Sequence, residues 1–148
     1  MKKIKIISIG SLSPLFKALF VDYSKNIQHF CEFINLELKE FSEIKNIEEK
    51  KLKETKLIIE NLDKDAKIFL LSLKGKQVES ELFAEQIKEF DKINFIIGGS
   101  DGMVEDLIPN HLKISFSKMT FPHQLFKVML SEQIYRAFMI LNNKKYHK

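Results

Sequence analysis

A single cysteine, Cys31, excludes a disulfide within the chain and any cysteine-rich zinc site. Its neighbours in CEFINLEL predict a buried strand position rather than a reactive thiol. The four histidines, His29, His111, His123 and His147, fall in no HxxxH or HExxH spacing, so no metal site is expected. No apolar run approaches the roughly 18 residues that a membrane helix needs, so no membrane partner is expected. The start, MKKIKIISIG, has the basic opening of a signal peptide, but its apolar stretch is short and Lys5 interrupts it. It reads as a first strand, which predicts a cytoplasmic protein. Arginine is nearly absent: Arg136 is the only one among 24 basic residues. Lysine attracts phosphate diffusely and lacks the two-pronged guanidinium fork. The net charge of +4 is compatible with a polyanionic partner without specifying one. Glycine is scarce as well, yet three of the five glycines fall within Gly98–Gly102, in FIIGGSDGM.

What is present reads as one domain over residues 1–148, long enough to bury a real core. Strand patterns fall at 3–9, 31–38, 67–73, 93–97 and 112–116, the third bounded by Gly75. Helical patterns fall between them: from Ser13-Pro14 to about Lys25, over 43–65, over 78–90, a short one before Pro109, and over 122–141. The 43–65 stretch is dominated by Lys and Glu, and its charges read as a solvated face. Strands alternating with helices, several of them continuously apolar, predict an α/β fold with a mainly parallel sheet covered on both faces. Ligands of such sheets bind beyond the carboxyl ends of the strands. Three loops have that position, around Leu73–Gly75, Gly98–Gly102 and Ser117–Pro122, and together they would form one pocket.

The glycine loop matches no common nucleotide fingerprint. A dinucleotide fold would carry GxGxxG after the first strand, and a phosphate loop would read GxxxxGK[ST]; neither occurs. Taken alone, GGSDG fits a plain turn as well as a ligand site.

FIIGGSDG, then SFSKMTFPHQLFKVMLSEQIYRA, then the tail NNKKYHK occur in an order and spacing that resemble one family. The chain resembles the bacterial pseudouridine N3-methyltransferases of large-subunit (23S) ribosomal RNA, of the SPOUT class. That family's loop usually reads IGGPEG and its next segment LSxMTLPHxLxRxxLxEQLYRA. Here Ser100-Asp101 replaces Pro-Glu, and Lys127 replaces a frequent arginine. The resemblance spans nearly the whole chain.

The resemblance implies a SPOUT-type sheet with a C-terminal trefoil knot and S-adenosylmethionine as cofactor. It also implies a homodimer acting on the assembled 70S ribosome, at N3 of a pseudouridine in helix 69. Carried over position by position, the cofactor would be held by Leu71, Gly98, Phe116, Ser117, Lys118, Met119, Thr120 and Phe121. Glycine admits close backbone approach, and Leu71, Met119 and Phe121 offer apolar walls. The imide nitrogen must lose a proton, so a general base is expected. Candidates are His123, Tyr146 and His147, with Asp101 beside them. Lys144, Lys145 and Lys148 would neutralise phosphates. Arg136 is four residues from Glu132, an ion-pair spacing at a dimer contact. Phe126, Met129, Leu130, Phe138 and Met139 would pack against the second subunit. Two rival readings remain: a SPOUT enzyme acting on transfer RNA, and a non-catalytic α/β RNA-binding module.

Overall fold

The computed structural model describes all residues 1–148. Five strands, β1 (Lys3–Ile9), β2 (Glu32–Leu38), β3 (Lys67–Gln77), β4 (Lys92–Ile97) and β5 (His111–Ser115), form one sheet in the order β2-β1-β4-β3-β5. Every pairing is parallel. The helices are α1 (Pro14–Ile27), α2 (Ile47–Glu60), α3 (Ser80–Glu89) and α4 (His123–Leu141), with a single 3₁₀ turn at Glu105–Leu107. The α/β, parallel-sheet expectation therefore holds. No helix is long and apolar enough to cross a membrane.

The strands are apolar on both faces because both are covered. On one face Phe33, Phe69, Phe83, Phe95, Leu130, Ile134 and Phe138 form the larger core. Phe69 and Phe83 lie 5.4 and 5.6 Å from Phe95, ring centre to ring centre. On the other face Ile7, Ile9, Leu70 and Ile96 pack with Ile58 of α2 and with Met103 and Ile108. Burying each such side chain contributes about 1.5–3 kcal/mol. Cys31 is buried, and that burial pushes its thiol up to about 12, which keeps it protonated and inert.

Three sequence expectations change. First, β3 does not stop at Gly75 but runs on to Gln77. Ile114 of β5 pairs with Leu71, and after a register shift it also pairs with Lys76. A Cβ on Gly75 would lie 2.6 Å from the Ile114 backbone, so the glycine marks close strand contact rather than a strand end. Second, α2 is shorter than 43–65. It begins at Ile47, capped by the Asn46 side chain, which accepts from the Glu49 N–H at 3.0 Å, with Glu48 and Glu49 in its first turn. Third, Leu130 and Phe138 are buried in this chain's own core, so they are not free to pack against a second subunit.

Candidate functional site

Because the strands are parallel, their carboxyl ends share one edge. There, residues 71–74 of β3, where its register with β5 shifts, the loop after β4, and the segment from β5 into α4 surround a cavity of about 320 Å³. Leu71, Leu73, Ile97, Met103, Phe121 and Phe126 supply its apolar wall. Ser72, Ser115, Thr120, Glu105, Lys74 and His123 supply the polar groups. An apolar pocket with a few convergent polar groups is the usual form of a small-molecule site.

The glycine loop shapes one side. Gly98, Gly99 and Gly102 line the cavity. A Cβ on Gly98 would sit 2.8 Å from the Met103 side chain, so its absence lets the backbone and Met103 share the wall. Gly102 has φ +84°, a left-handed conformation that glycine adopts without strain, and its N–H donates to the Gly99 carbonyl at 3.0 Å.

Helix α2 holds this loop from behind. Lys50 donates to Asp101 Oδ2 at 2.7 Å and to Glu40 Oε2 at 2.9 Å. The Thr55 hydroxyl accepts from the Val104 N–H at 2.9 Å. Lys50, Glu54 and Thr55 are all buried. The expected solvated face of the 43–65 stretch is thus corrected: its lysine and glutamate at 50 and 54 lie under the cavity loop. The legible signal was their four-residue spacing in register with buried Ile58. The hydrogen bonds to Asp101 and Glu40 push the Lys50 ammonium up. Burial pushes the Glu54 carboxyl up, opposed by the Phe41 N–H that it accepts at 2.9 Å and by Lys50.

Glu105 offers a free acceptor. Its Oε1 is 3.2 Å from Lys113 Nζ, yet it is buried and not aligned for a hydrogen bond. The ion pair supplies charge balance but leaves the oxygen's directional capacity unused.

The candidate cofactor residues divide. Leu71, Gly98, Thr120 and Phe121 line the cavity; Phe116, Ser117, Lys118 and Met119 do not. Phe116 stacks on Phe126 at 5.0 Å and meets Phe83 edge-on. The Ser117 hydroxyl accepts from the Met119 N–H at 3.0 Å, and Met119 is 72% exposed. His123, the first residue of α4, borders this cavity and also a second, polar one at the ends of β1 and β2. That second cavity, which sequence reasoning missed, is about 530 Å³ and includes Gly10, Ser11, Glu37, Lys39, Glu40 and Ser100.

Tyr146 and His147 are brought to a different place. The tail folds back on α4, where the Tyr146 hydroxyl donates to Glu132 Oε2 at 2.8 Å. Arg136 donates to the same oxygen at 2.8 Å, so the expected Glu132–Arg136 pair forms. Arg136 also meets His147, whose other ring nitrogen contacts Glu81. Burial and the Glu132 carboxylate push the Tyr146 phenol up. None of these tail partners borders either cavity. No cluster of three or more histidine, cysteine or acidic side chains is arranged to hold a metal ion.

Known proteins resemble this chain over its whole length. The family described as "Predicted SPOUT methyltransferase" matches residues 1–147. The chain is 59% identical over 150 residues to the ribosomal RNA large subunit methyltransferase H of Mycoplasmopsis agalactiae, covering 100% of both. It is 51% identical over 145 residues to the protein of that name from Mycoplasmopsis synoviae, covering 98% of this chain and 99% of the relative. The Clostridium botulinum (strain Kyoto / Type A2) protein of that name is 41% identical over 157 residues, with 98% and 99% covered. Full-length similarity of this kind, joined to a parallel sheet with a cavity at its carboxyl edge, means that this chain belongs to the SPOUT methyltransferase family.

Proposed function

We propose that this enzyme uses S-adenosylmethionine to methylate N3 of a pseudouridine in helix 69 of 23S ribosomal RNA, acting as a homodimer on assembled 70S ribosomes in the cytoplasm. The observation that carries the reading is His123, which borders both the largely apolar cavity and the polar cavity beside it. A transferred methyl would cross at that border.

The apolar cavity suits the cofactor by its chemistry. Leu71, Phe121 and Met103 can cover an adenine ring, Gly98 admits close backbone approach, and the unaligned Glu105 oxygen can accept from a hydroxyl or ammonium group. Phe116, Ser117, Lys118 and Met119 belong to the proposal through the chain: they join Ser115 to Thr120, both of which are wall residues. When bound, S-adenosylmethionine supplies an electrophilic methyl whose sulfur leaves with the electron pair of the broken bond. His123 takes the N3 proton, so that the nitrogen lone pair is free to form the new bond. The walls hold the reactants in line, and such positioning supplies much of the rate.

Tyr146 and His147 enter this reading through the dimer. Their own chain binds them away from its cavity, so they would serve the cavity of a second copy, with Lys144, Lys145 and Lys148 meeting phosphates. One domain over 1–148 carries all these roles. The trefoil knot belongs to the reading as well, through the family alone.

The test is transfer of a labelled methyl group to intact ribosomes, separated subunits and transfer RNA. Label on the large-subunit RNA of intact ribosomes is the expected result. Label on transfer RNA alone would overturn it, and no donor binding by the folded dimer would favour a non-catalytic RNA-binding module.

A further inference from the structure

The polar cavity has a feature that the methyl-transfer reading does not use. Gly10 follows β1 with φ +89°, and the space above it is shared by two side chains. A Cβ there would lie 3.5 Å from Glu40 Oε1 and 4.0 Å from His123 Nε2. The two polar atoms therefore face one gap from different elements. Glu40 is fixed in place through its other oxygen, Oε2, which accepts from Lys50 at 2.9 Å and from the Ser100 hydroxyl at 3.3 Å. The second acid of the cavity, Glu37, is instead turned to Lys127, whose ammonium donates to its Oε2 at 2.9 Å.

The cavity thus presents two polar atoms from different parts of the chain, and a flat ring carrying two N–H groups can donate to both, with His123 Nε2 accepting in its Nδ1–H tautomer. Pseudouridine is such a ring. Uridine carries its sugar on N1 and has no hydrogen there. Resting on the proposed function, we infer that the polar cavity seats the acceptor base and that Glu40 Oε1 accepts the N1–H hydrogen bond, making Glu40 the residue that selects pseudouridine over uridine. His123 then faces N3, beside the cavity from which the methyl arrives. A uridine in the same seat leaves a carboxylate oxygen facing a ring position with no hydrogen to give, and sites built to bond a missing group reject the analogue strongly. The clamp on Oε2 gives the selection its sharpness, because a carboxylate held at one oxygen presents the other in a fixed direction.

The experiment measures single-turnover methylation of ribosomes that carry either pseudouridine or uridine at the target position. Wild-type protein is expected to favour pseudouridine by about 100-fold or more. Glu40→Leu is expected to erase about tenfold or more of that preference by slowing the pseudouridine reaction alone. Glu40→Gln keeps an acceptor oxygen and should keep most of the preference. Because Glu40 also holds Lys50 and Ser100, rates are compared at saturating donor, with donor affinity measured by calorimetry, so that the ratio of the two substrates is independent of donor binding. Glu40→Ala, carrying the same expectations as the leucine variant, covers the case in which leucine does not fold. A folded variant without the acceptor that keeps the wild-type preference, or slows both substrates equally, overturns the inference alone, as does a wild-type protein indifferent to the two bases. A wild-type protein that binds donor and methylates neither ribosome overturns the proposed reaction, and the inference with it.

Discussion

Two loops meet at the cavity, and they are held by different forces. The excursion of β3 around Gly75 is held by backbone against backbone. Leu71 and Lys76 both pair with Ile114, and Gly75 leaves no room for a side chain between the strands. The loop after β4 is held by side chains: the Lys50 ammonium between Asp101 and Glu40, the Thr55 hydroxyl under Val104, and Glu54 beside Gly99. Van der Waals contact of the first kind is indifferent to pH and salt. Charge contacts of the second kind are not. One wall of the site is therefore rigid under all mild conditions, while the other answers to its ionic surroundings.

The largest effect should come from the backbone contact. Gly75→Ala puts a methyl 2.6 Å from the Ile114 backbone, which side-chain movement cannot relieve. We expect a loss of about 3 kcal/mol or more in urea denaturation. A smaller loss would mean that the two strands can part cheaply, and the contrast would fall.

A moderate effect should come from the charge clamp. Lys50→Met is expected to lower the melting temperature by about 5 °C and weaken donor binding by about tenfold. The Lys50 ammonium is raised above its usual 10.5. Its folded state holds a proton that the unfolded chain releases, so its contribution is complete below pH 10.5 and is lost as pH rises through the folded value. The melting-temperature gap between wild type and variant should thus narrow above pH 10.5. A constant gap would show that packing, not charge, holds the loop.

The smallest effect is also the most discriminating. Glu54 is raised above 4.5 by burial, so the folded state binds its proton more tightly than the unfolded chain. The carboxylate then costs stability as pH rises above 4.5. Glu54→Gln should gain on wild type in thermal melts between pH 4 and pH 7. The opposite trend would mean that the Lys50 charge outweighs the burial.

The same contrast explains what the sequence could reveal. Strand and helix positions were legible because burial on both sheet faces writes continuous apolar runs such as KIFLLSL, and FIIGGSDG marked a turn without deciding between a plain turn and a ligand site. The backbone-held loop was misread because glycine has two meanings, stop and close approach, and only the neighbouring strand decides between them. The charge-held loop was invisible at its support: Lys50 and Glu54 lie in a stretch crowded with solvated lysines and glutamates. Only their spacing with Ile58 sets them apart. The sheet order and the docking of Tyr146 on Glu132 depend on long-range pairing that periodicity does not record.

β5 is the last strand in sequence and also an edge strand of the sheet, and it contacts no strand but β3. During synthesis the first four strands leave the ribosome ahead of Ser115, Thr120, Phe121 and His123. A nascent chain can assemble most of its sheet and yet have nowhere to hold a methyl donor, so competence would arrive late in translation and all at once.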